Sequence, residues 1–363
     1  MFKIIIKGLL LIIALVVLFS LYMANRMDVF KTLTVKTPDV CSALPINGSA
    51  EDLEIDFERG IAYLSLEDRA ALITGDDIQG TVVKINLKKT PYKVELALNQ
   101  QPPHFRPHGI SLYIDTNGKR HLGIINHPKN RELEPENVEL FSEDENGLFM
   151  HQQTITDPLF KSPNALVLMA QNKFYLGNDK GAETAFGKIQ EQLGRPMSKI
   201  IYFNGDSASV AAENLSQISG INTSKNNKYL FASETAAKRI AIFSINENNG
   251  VLKKLETIKI NGSPDNINVS SNDDLIVAAI PKVMALIQHF ISFQKEEIMP
   301  APSQVFQIKW DFNSEATIEE LFLSNGEDIS TTSVGAIFDS KLFKTIDLPE
   351  IPTTSPKKSI FIL

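Results

Sequence analysis

Apolar residues fall in short runs along almost the whole chain, and the first run is unlike the others. Gly8 to Ala24 is an uncharged stretch rich in leucine, isoleucine and valine that follows Lys3 and Lys7. It is long and apolar enough to enter a membrane as a helix. The run exceeds a typical signal-peptide core, and Ala24 offers a poor small-residue cleavage site, so an uncleaved anchor over residues 1–25 is favoured over a removed signal peptide. Lysines ahead of the run, with the bulk of the chain behind it, put the remainder outside the cytoplasm by the positive-inside rule, with a secreted form as the alternative.

After a linker over residues 26–40, the pattern becomes a procession of short β-type runs separated by Asn, Asp, Gly, Ser and Lys. That is the signature of an antiparallel all-β fold. The strand candidates include 81–87, 110–115, 121–126, 138–142, 174–178, 199–204, 229–234, 240–245, 275–280, 305–310 and 334–339. One theme recurs: a polar turn, a short apolar strand, then a second strand that ends in an aromatic and an Asn/Asp-rich turn. Comparable apolar strands begin near Ile61, Leu122, Phe174, Tyr229, Leu275 and Leu342, at intervals that suit one four-stranded blade each. Six occurrences predict a six-bladed β-propeller over residues 41–345, followed by a Pro/Thr/Ser-rich tail over 346–363. A pair of β-sandwiches with chance spacing is the competing arrangement.

Two stretches break the strand rhythm. Residues 183–193 have amphipathic helical spacing, and residues 282–294 (KVMALIQHFISFQ) are helical and strongly apolar. In a propeller such insertions lie over one face, where they wall a pocket or touch a membrane.

Composition refines this picture in three ways. The net charge of −7 carries no basic block, which argues against nucleic acid as a partner. Cys41 is the one cysteine, so no intramolecular disulfide can form. It also lies well beyond the hydrophobic run, unlike a lipoprotein cysteine. Stability therefore rests on burial.

No nucleophile elbow, zinc-binding H-E-x-x-H, dinucleotide fingerprint or phosphate loop occurs. What recurs are polar phrases at the ends of apolar strands: Glu51-Asp52, His108-Gly109-Ile110, Asn126-His127-Pro128, Pro163-Asn164, Ser219-Gly220-Ile221-Asn222 and Pro264-Asp265-Asn266. Each joins a carboxylate, amide, hydroxyl or imidazole to a turn former, and their separation puts them on different blades. Oxygen donors from several blades suit Ca²⁺, which takes six to eight hard oxygens in irregular geometry. Neutral amide donors leave such an ion enough positive character to polarise a carbonyl. His104, His121, His151 and His289 are read as structural.

In order, these phrases resemble the paraoxonase/arylesterase family, itself distantly similar to gluconolactonase and regucalcin propellers. The likeness runs from about Cys41 to Phe343 through AEDLEI (50–55), FRPHGIS (105–111), INHP (125–128), PNALVL (163–168), SGINTSKNNKYLFASE (219–234) and PDNINV (264–269). The resemblance implies a catalytic Ca²⁺ held by Glu51, Asn164, Asp265 and Asn266, with Ser219 where the family has another Asn. It places a second, structural Ca²⁺ on Asp52 and the backbone carbonyl of Ile110, although Ala165 replaces the acidic residue expected beside Asn164. His108 and His127 match the family's paired histidines, one acting as general base on a water while the other orients it.

Other departures matter too. Cys41 matches the family's N-terminal cysteine but its C-terminal partner is missing, so hydrogen bonds and burial must close the ring. The apolar insertion is longer than the family pattern, which points to a small lipophilic ester or lactone as substrate. The expected function is a Ca²⁺-dependent hydrolase of esters or lactones. The alternatives are an inactive propeller that binds a protein or lipid, favoured by Ser219 and Ala165, and a metal-free strictosidine-synthase-like propeller, opposed by Glu51, Asn164, Asp265 and Asn266.

Overall fold

A computed structural model describes residues 2–36, 42–46, 48–75, 78–131, 133–293, 295, 297–327, 329–346 and 358–362. Past the first helix, these residues form six sheets, five of four antiparallel strands and one of five in which Leu98–Gln100 pairs parallel with Phe149–Thr156. The apolar runs that begin near Ile61, Leu122, Phe174, Tyr229, Leu275 and Leu342 are in each case the second strand of a sheet. These strands read as continuous apolar runs because both faces are covered: Arg120–Asn126 is buried at every position. Outermost strands such as Ala208–Leu215 and Leu252–Lys259 expose half or more of their residues, the second carrying three lysines and a glutamate.

Counted outward from the centre of the ring, the first strand of each sheet is the innermost one, although in two sheets an outlying strand, Leu98–Gln100 or Ser42–Pro45, comes earlier in the chain. Ser49–Asp56, Pro107–Ile114, Pro163–Ala170, Ile218–Thr223, Ser263–Val269 and Thr332–Phe338 touch one another in succession, and the last returns to the first. The apolar core is divided accordingly, with one cluster between each pair of neighbouring sheets. This closed ring of radially packed sheets is an all-β propeller.

Closure is made by the two chain ends. Ser42–Pro45 pairs antiparallel with Lys358–Ile362, which pairs in turn with Lys341–Ile346. Ile360 and Ile362 are buried against Leu44, Val334 and Phe343, so backbone bonds and about two large aliphatic side chains do the work a disulfide would do. The propeller thus extends past residue 345: part of what the sequence placed in a tail is a strand, recognisable only beside its partner. Cys41 and residues 347–357 lie outside the described residues.

Four α-helices accompany the sheets. Helix α1 (Phe2–Arg26) has a mean hydropathy of 3.0 in its most apolar window and buries none of its residues, so by length and composition it can cross a membrane. Helix α2 (Arg69–Thr74) is too short to leave a periodic trace in sequence. The Asp68 side chain caps it by accepting from the Ala71 amide, and Gly75, at φ 101°, ends it. Helices α3 (Ala185–Gln192) and α4 (Val283–Ser292) fall within the two predicted insertions. Helices α2, α3 and α4 each follow the second strand of a sheet. Antiparallel pairing brings the end of that strand to the start of the innermost one, so all three helices share one face of the ring. The amide of Met284, in α4, donates to the carbonyl of Met27, just beyond α1, at 3.0 Å.

Candidate functional site

Every innermost strand breaks register with its neighbour near its start, and the candidate residues sit in those breaks. Glu51 and Asp52 together oppose one residue, His108 and Gly109 do the same, and so do Asp265 and Asn266. Asn164, Ser219 and, in the sixth sheet, Ser333 are single extra residues. A bulge takes its residues out of the in-out alternation and re-aims their side chains, here at one end of the ring. Two pairs of neighbouring innermost strands approach especially closely. A Cβ on Gly109 would lie 2.6 Å from the Asn164 carbonyl oxygen, and one on Gly220 would lie 2.4 Å from that of Asp265. Glycine after His108 and after Ser219 is therefore what lets the sheets bring these side chains together.

The converging groups are mostly oxygen donors. Glu51 is buried, and its Oε1 accepts from Asn266 Nδ2 at 3.0 Å. Its Oε2 and the Asn164 Oδ1 are buried with no hydrogen-bond partner. Ser219 Oγ lies 2.8 Å from Thr235 Oγ1, which donates to the Pro264 carbonyl at 2.6 Å, leaving the lone pairs of Ser219 available. Burial raises the pKa of Glu51 despite the charge of Arg69. Burial, followed by the charges of Glu51 and Asp52, pushes Asp265 well above the usual carboxylate range. Burial followed by the charge of Glu51 does the same to Asp52.

Buried anions that repel one another, beside bare amide and carboxylate oxygens, fit a hard cation such as Ca²⁺. Among the described residues no three His, Cys, Asp or Glu side chains could hold an ion by themselves. Any cation here depends on the oxygens of Asn164, Ser219 and Asn266 as well as on Glu51 and Asp265.

Asp52 is engaged differently from the sequence assignment. Its Oδ1 accepts from the Leu53 amide at 2.8 Å and its Oδ2 from the Ile110 amide at 3.0 Å. The contact between Asp52 and Ile110 thus runs through the amide, not the carbonyl that a second ion would use, and it ties the first two innermost strands together.

The two histidines meet, with ring centroids 4.5 Å apart. His127 lies one residue beyond the strand Arg120–Asn126. Its Nδ1 is 2.7 Å from Glu136 Oε2, while Arg131 Nε holds Glu136 Oε1 at 2.6 Å. A carboxylate can only accept, so the proton of neutral His127 sits on Nδ1, and its buried Nε2, without a hydrogen-bond partner, carries a lone pair. His108 has the opposite tautomer. Arg69 donates to its Nδ1, which leaves the proton on Nε2, 3.7 Å from Glu51 Oε1. Burial lowers both imidazoles. For His108 the nearby His127 and Arg69 add to the effect, while for His127 the bond to Glu136 opposes it. Both rings are therefore neutral at physiological pH.

Before the histidines opens a cavity of about 450 Å³, walled by Arg69 and Leu72 of α2, Phe290 of α4, and Arg106, Lys129 and Arg131. A separate cavity of about 340 Å³ beside α3 contains none of the candidate residues. His121 and His151 are structural, bonded to Ser142 and Glu139 at 2.8 Å each.

Sequence reasoning missed several members. Glu54, Asn222 and Asn268 alternate with the core residues Leu53, Ile55, Ile221 and Ile267, so period-2 reading alone turns them away from the core. Burial, then Asp52, raises Glu54 well above the usual range. Glu136 and Arg69 carry no local motif, and Ser333 sits in a run of hydroxyl residues that resembles a loop.

A family model described as Arylesterase matches residues 37–347. Serum paraoxonase/arylesterase 2 of Canis lupus familiaris is 26% identical over 331 residues, 89% of this chain and 90% of its own. Serum paraoxonase/arylesterase 1 of Homo sapiens is 27% identical over 317 residues, 85% and 86% of the two chains. Among solved structures, a luciferin-regenerating enzyme aligns with a TM-score of 0.53 at 11% identity over 89% of this chain and 94% of its own. PQQ-bound aldose sugar dehydrogenase from Streptomyces coelicolor aligns with a TM-score of 0.52 at 12% identity over 91% and 100%. At such identities the structural likeness concerns the fold alone.

Proposed function

The chain belongs to the arylesterase family and is an ester or lactone hydrolase, and we propose that it works with one Ca²⁺ held by Glu51, Asn164, Ser219, Asp265 and Asn266. Counting each sheet as one blade, the scaffold is a six-bladed propeller with the ion near one end of its axis. The observation that supports this reading is the set of register breaks, which gathers oxygen donors from four innermost strands at one end of the ring, with Glu51 Oε2 and Asn164 Oδ1 buried without a hydrogen-bond partner. When bound, the ion would supply Lewis-acid polarisation of the substrate carbonyl.

The remaining steps belong to the side chains. His127 Nε2 accepts a proton from the attacking water, and Glu136 holds the imidazole in that tautomer and stabilises the imidazolium that forms. His108, fixed by Arg69 with its proton on Nε2, orients the reacting groups as a donor. The proton then passes from His127 to the departing alkoxide, so water and ester yield acid and alcohol with no covalent acyl-enzyme. A lactone yields one hydroxy acid. Asp52 serves as a tie between strands in this scheme, and no second ion is proposed. We also propose that α1 anchors the protein with the propeller outside the cytoplasm, since Lys3 and Lys7 precede its apolar run.

The test is hydrolysis of phenyl acetate and of a medium-chain γ-lactone with Ca²⁺ and with excess chelator, in the wild type and in Glu51→Gln. Activity lost to chelator and absent in the variant supports the scheme. Tight Ca²⁺ binding without turnover would favour the binding-propeller reading, to which Ser219 and Ala165 lend support.

A further inference from the structure

Helix α4 begins without a cap of its own. Its N-cap position is Lys282, in extended geometry, and a lysine side chain only donates, so it cannot satisfy the first amides of the helix. The acceptor comes instead from the foot of α1, where the Met27 carbonyl takes the Met284 amide at 3.0 Å. That carbonyl is one of those a helix C-terminus leaves unsatisfied, so the negative end of α1 meets the positive start of α4.

The end of α1 is built to aim this carbonyl. The Asp28 amide donates to the Asn25 carbonyl and the Val29 amide to that of Ala24, the paired bonds of a Schellman turn. Asp28 stands at φ 56°, in the left-handed position that glycine fills with less strain. Its side chain has a task there: Asp28 Oδ1 accepts from Lys238 Nζ at 2.5 Å, on the turn after the strand Tyr229–Glu234. Nearby, Arg26 donates to the Leu193 carbonyl at the end of α3, Lys31 Nζ donates to the Asn261 carbonyl at 2.7 Å, and Lys36 pairs with Leu323 through both backbone bonds. Residues 26–36 are thus fastened to the ring at intervals, unlike a free linker. Val283 and Leu286 share a cavity of about 220 Å³ with Met23 and Met27, and Phe290, one turn further along the same stripe of α4, walls the cavity before the histidines.

Resting on the hydrolase reading, we propose that Asp28 is a positioning residue for that reaction: paired with Lys238, it sets the Met27 carbonyl as the missing cap of α4, and α4 in turn fixes the Phe290 wall against which the acyl chain of the substrate lies. The foot of α1 and the catalytic cavity then form one mechanical unit, and selectivity for chain length depends on residues outside the cavity.

The test uses the full-length protein in detergent micelles and follows hydrogen exchange in α4 together with hydrolysis of 4-nitrophenyl hexanoate and acetate. Asp28→Gly is decisive, because glycine suits the turn that ends α1 while the carboxylate is lost. Exchange in α4 rises roughly threefold to fivefold, the scale of a partly exposed ion pair, and the hexanoate-to-acetate ratio of kcat/KM falls by a similar factor through KM. Lys238→Gln does the same. Adding Lys282→Ser to either variant gives α4 a cap of its own and returns both readings toward wild type. A role confined to ending α1 predicts unchanged or slower exchange in Asp28→Gly. That result, or faster exchange with an unmoved ratio, overturns the proposal. If neither ester is hydrolysed the hydrolase reading fails, and exchange alone decides the joint: faster exchange in Asp28→Gly that Lys282→Ser reverses sustains it, and unmoved exchange ends it.

Discussion

On the two sides of the histidine pair, the site is built from side chains of opposite charge. Toward the axis of the ring lie Glu51, Asp52, Glu54 and Asp265, carboxylates taken out of water and set near one another, each with its ionised form disfavoured first by burial. On the other side Arg69, Arg106, Lys129 and Arg131 line the open cavity, Lys129 and Arg131 exposed and Arg106 buried. The difference teaches where a ligand is needed. Buried carboxylates with bare oxygens are costly until a cation joins them. Between the two groups stand the two buried imidazoles, held in opposite tautomers by Glu136 and Arg69.

The largest effect is expected on the acidic side. Glu51→Gln removes a candidate carboxylate whose Oε2 is buried without a hydrogen-bond partner, and lowers kcat/KM by about 10³, the order typical of losing an electrostatic catalytic group, together with Ca²⁺ affinity measured by calorimetry. Next comes stability. Carboxylates whose folded pKa is raised bind more protons folded than unfolded, so they erode stability as pH rises from the ordinary carboxylate range through the raised value. The buried histidines, lowered in the fold, act in the other direction as pH falls below about 6.5. Comparing melting curves with chelator and with Ca²⁺ therefore shows a gap that widens from pH 5 to pH 8, worth about 3 kcal/mol at a hundredfold excess over Kd. A gap that shrinks over that range would break the contrast between the two sides.

Glu136→Gln tests the boundary between the two groups. Removing the charge that raises His127 leaves burial unopposed, so the acid limb of kcat moves to lower pH, while loss of orientation lowers kcat roughly 10- to 100-fold. An unshifted limb would assign the proton transfer to another group. The smallest effect is expected for Ser219→Asn, which offers an amide oxygen in place of a hydroxyl already bonded to Thr235. Calcium affinity rises a few-fold, measured by calorimetry.

Much of the scaffold was readable because the second strand of each sheet is buried on both faces. A run such as HLGIIN leaves little choice but an interior strand. The candidate residues stood out as polar phrases at strand ends, and Glu54, Asn222 and Asn268 were recoverable from alternation. What could not be read depends on partners. A bulge exists only relative to the neighbouring strand, so the sequence shows Glu51 and Asp52 but not that both oppose one residue. The closing strand Lys358–Ile362 is defined by Ser42–Pro45, more than 300 residues away in the chain. The same holds for Glu136 with His127 and for Arg69 with His108, pairings that fix the tautomers and that no local motif announces.

The central claim is that the buried carboxylates hold the ion on which hydrolysis depends. The most direct measurement returns Ca²⁺ in steps to chelator-stripped full-length protein while bound ion and γ-lactone opening are followed together. Activity that rises in proportion to occupancy of one site per chain is the result predicted here, and full activity in the stripped protein, or one bound ion with no activity, would contradict it.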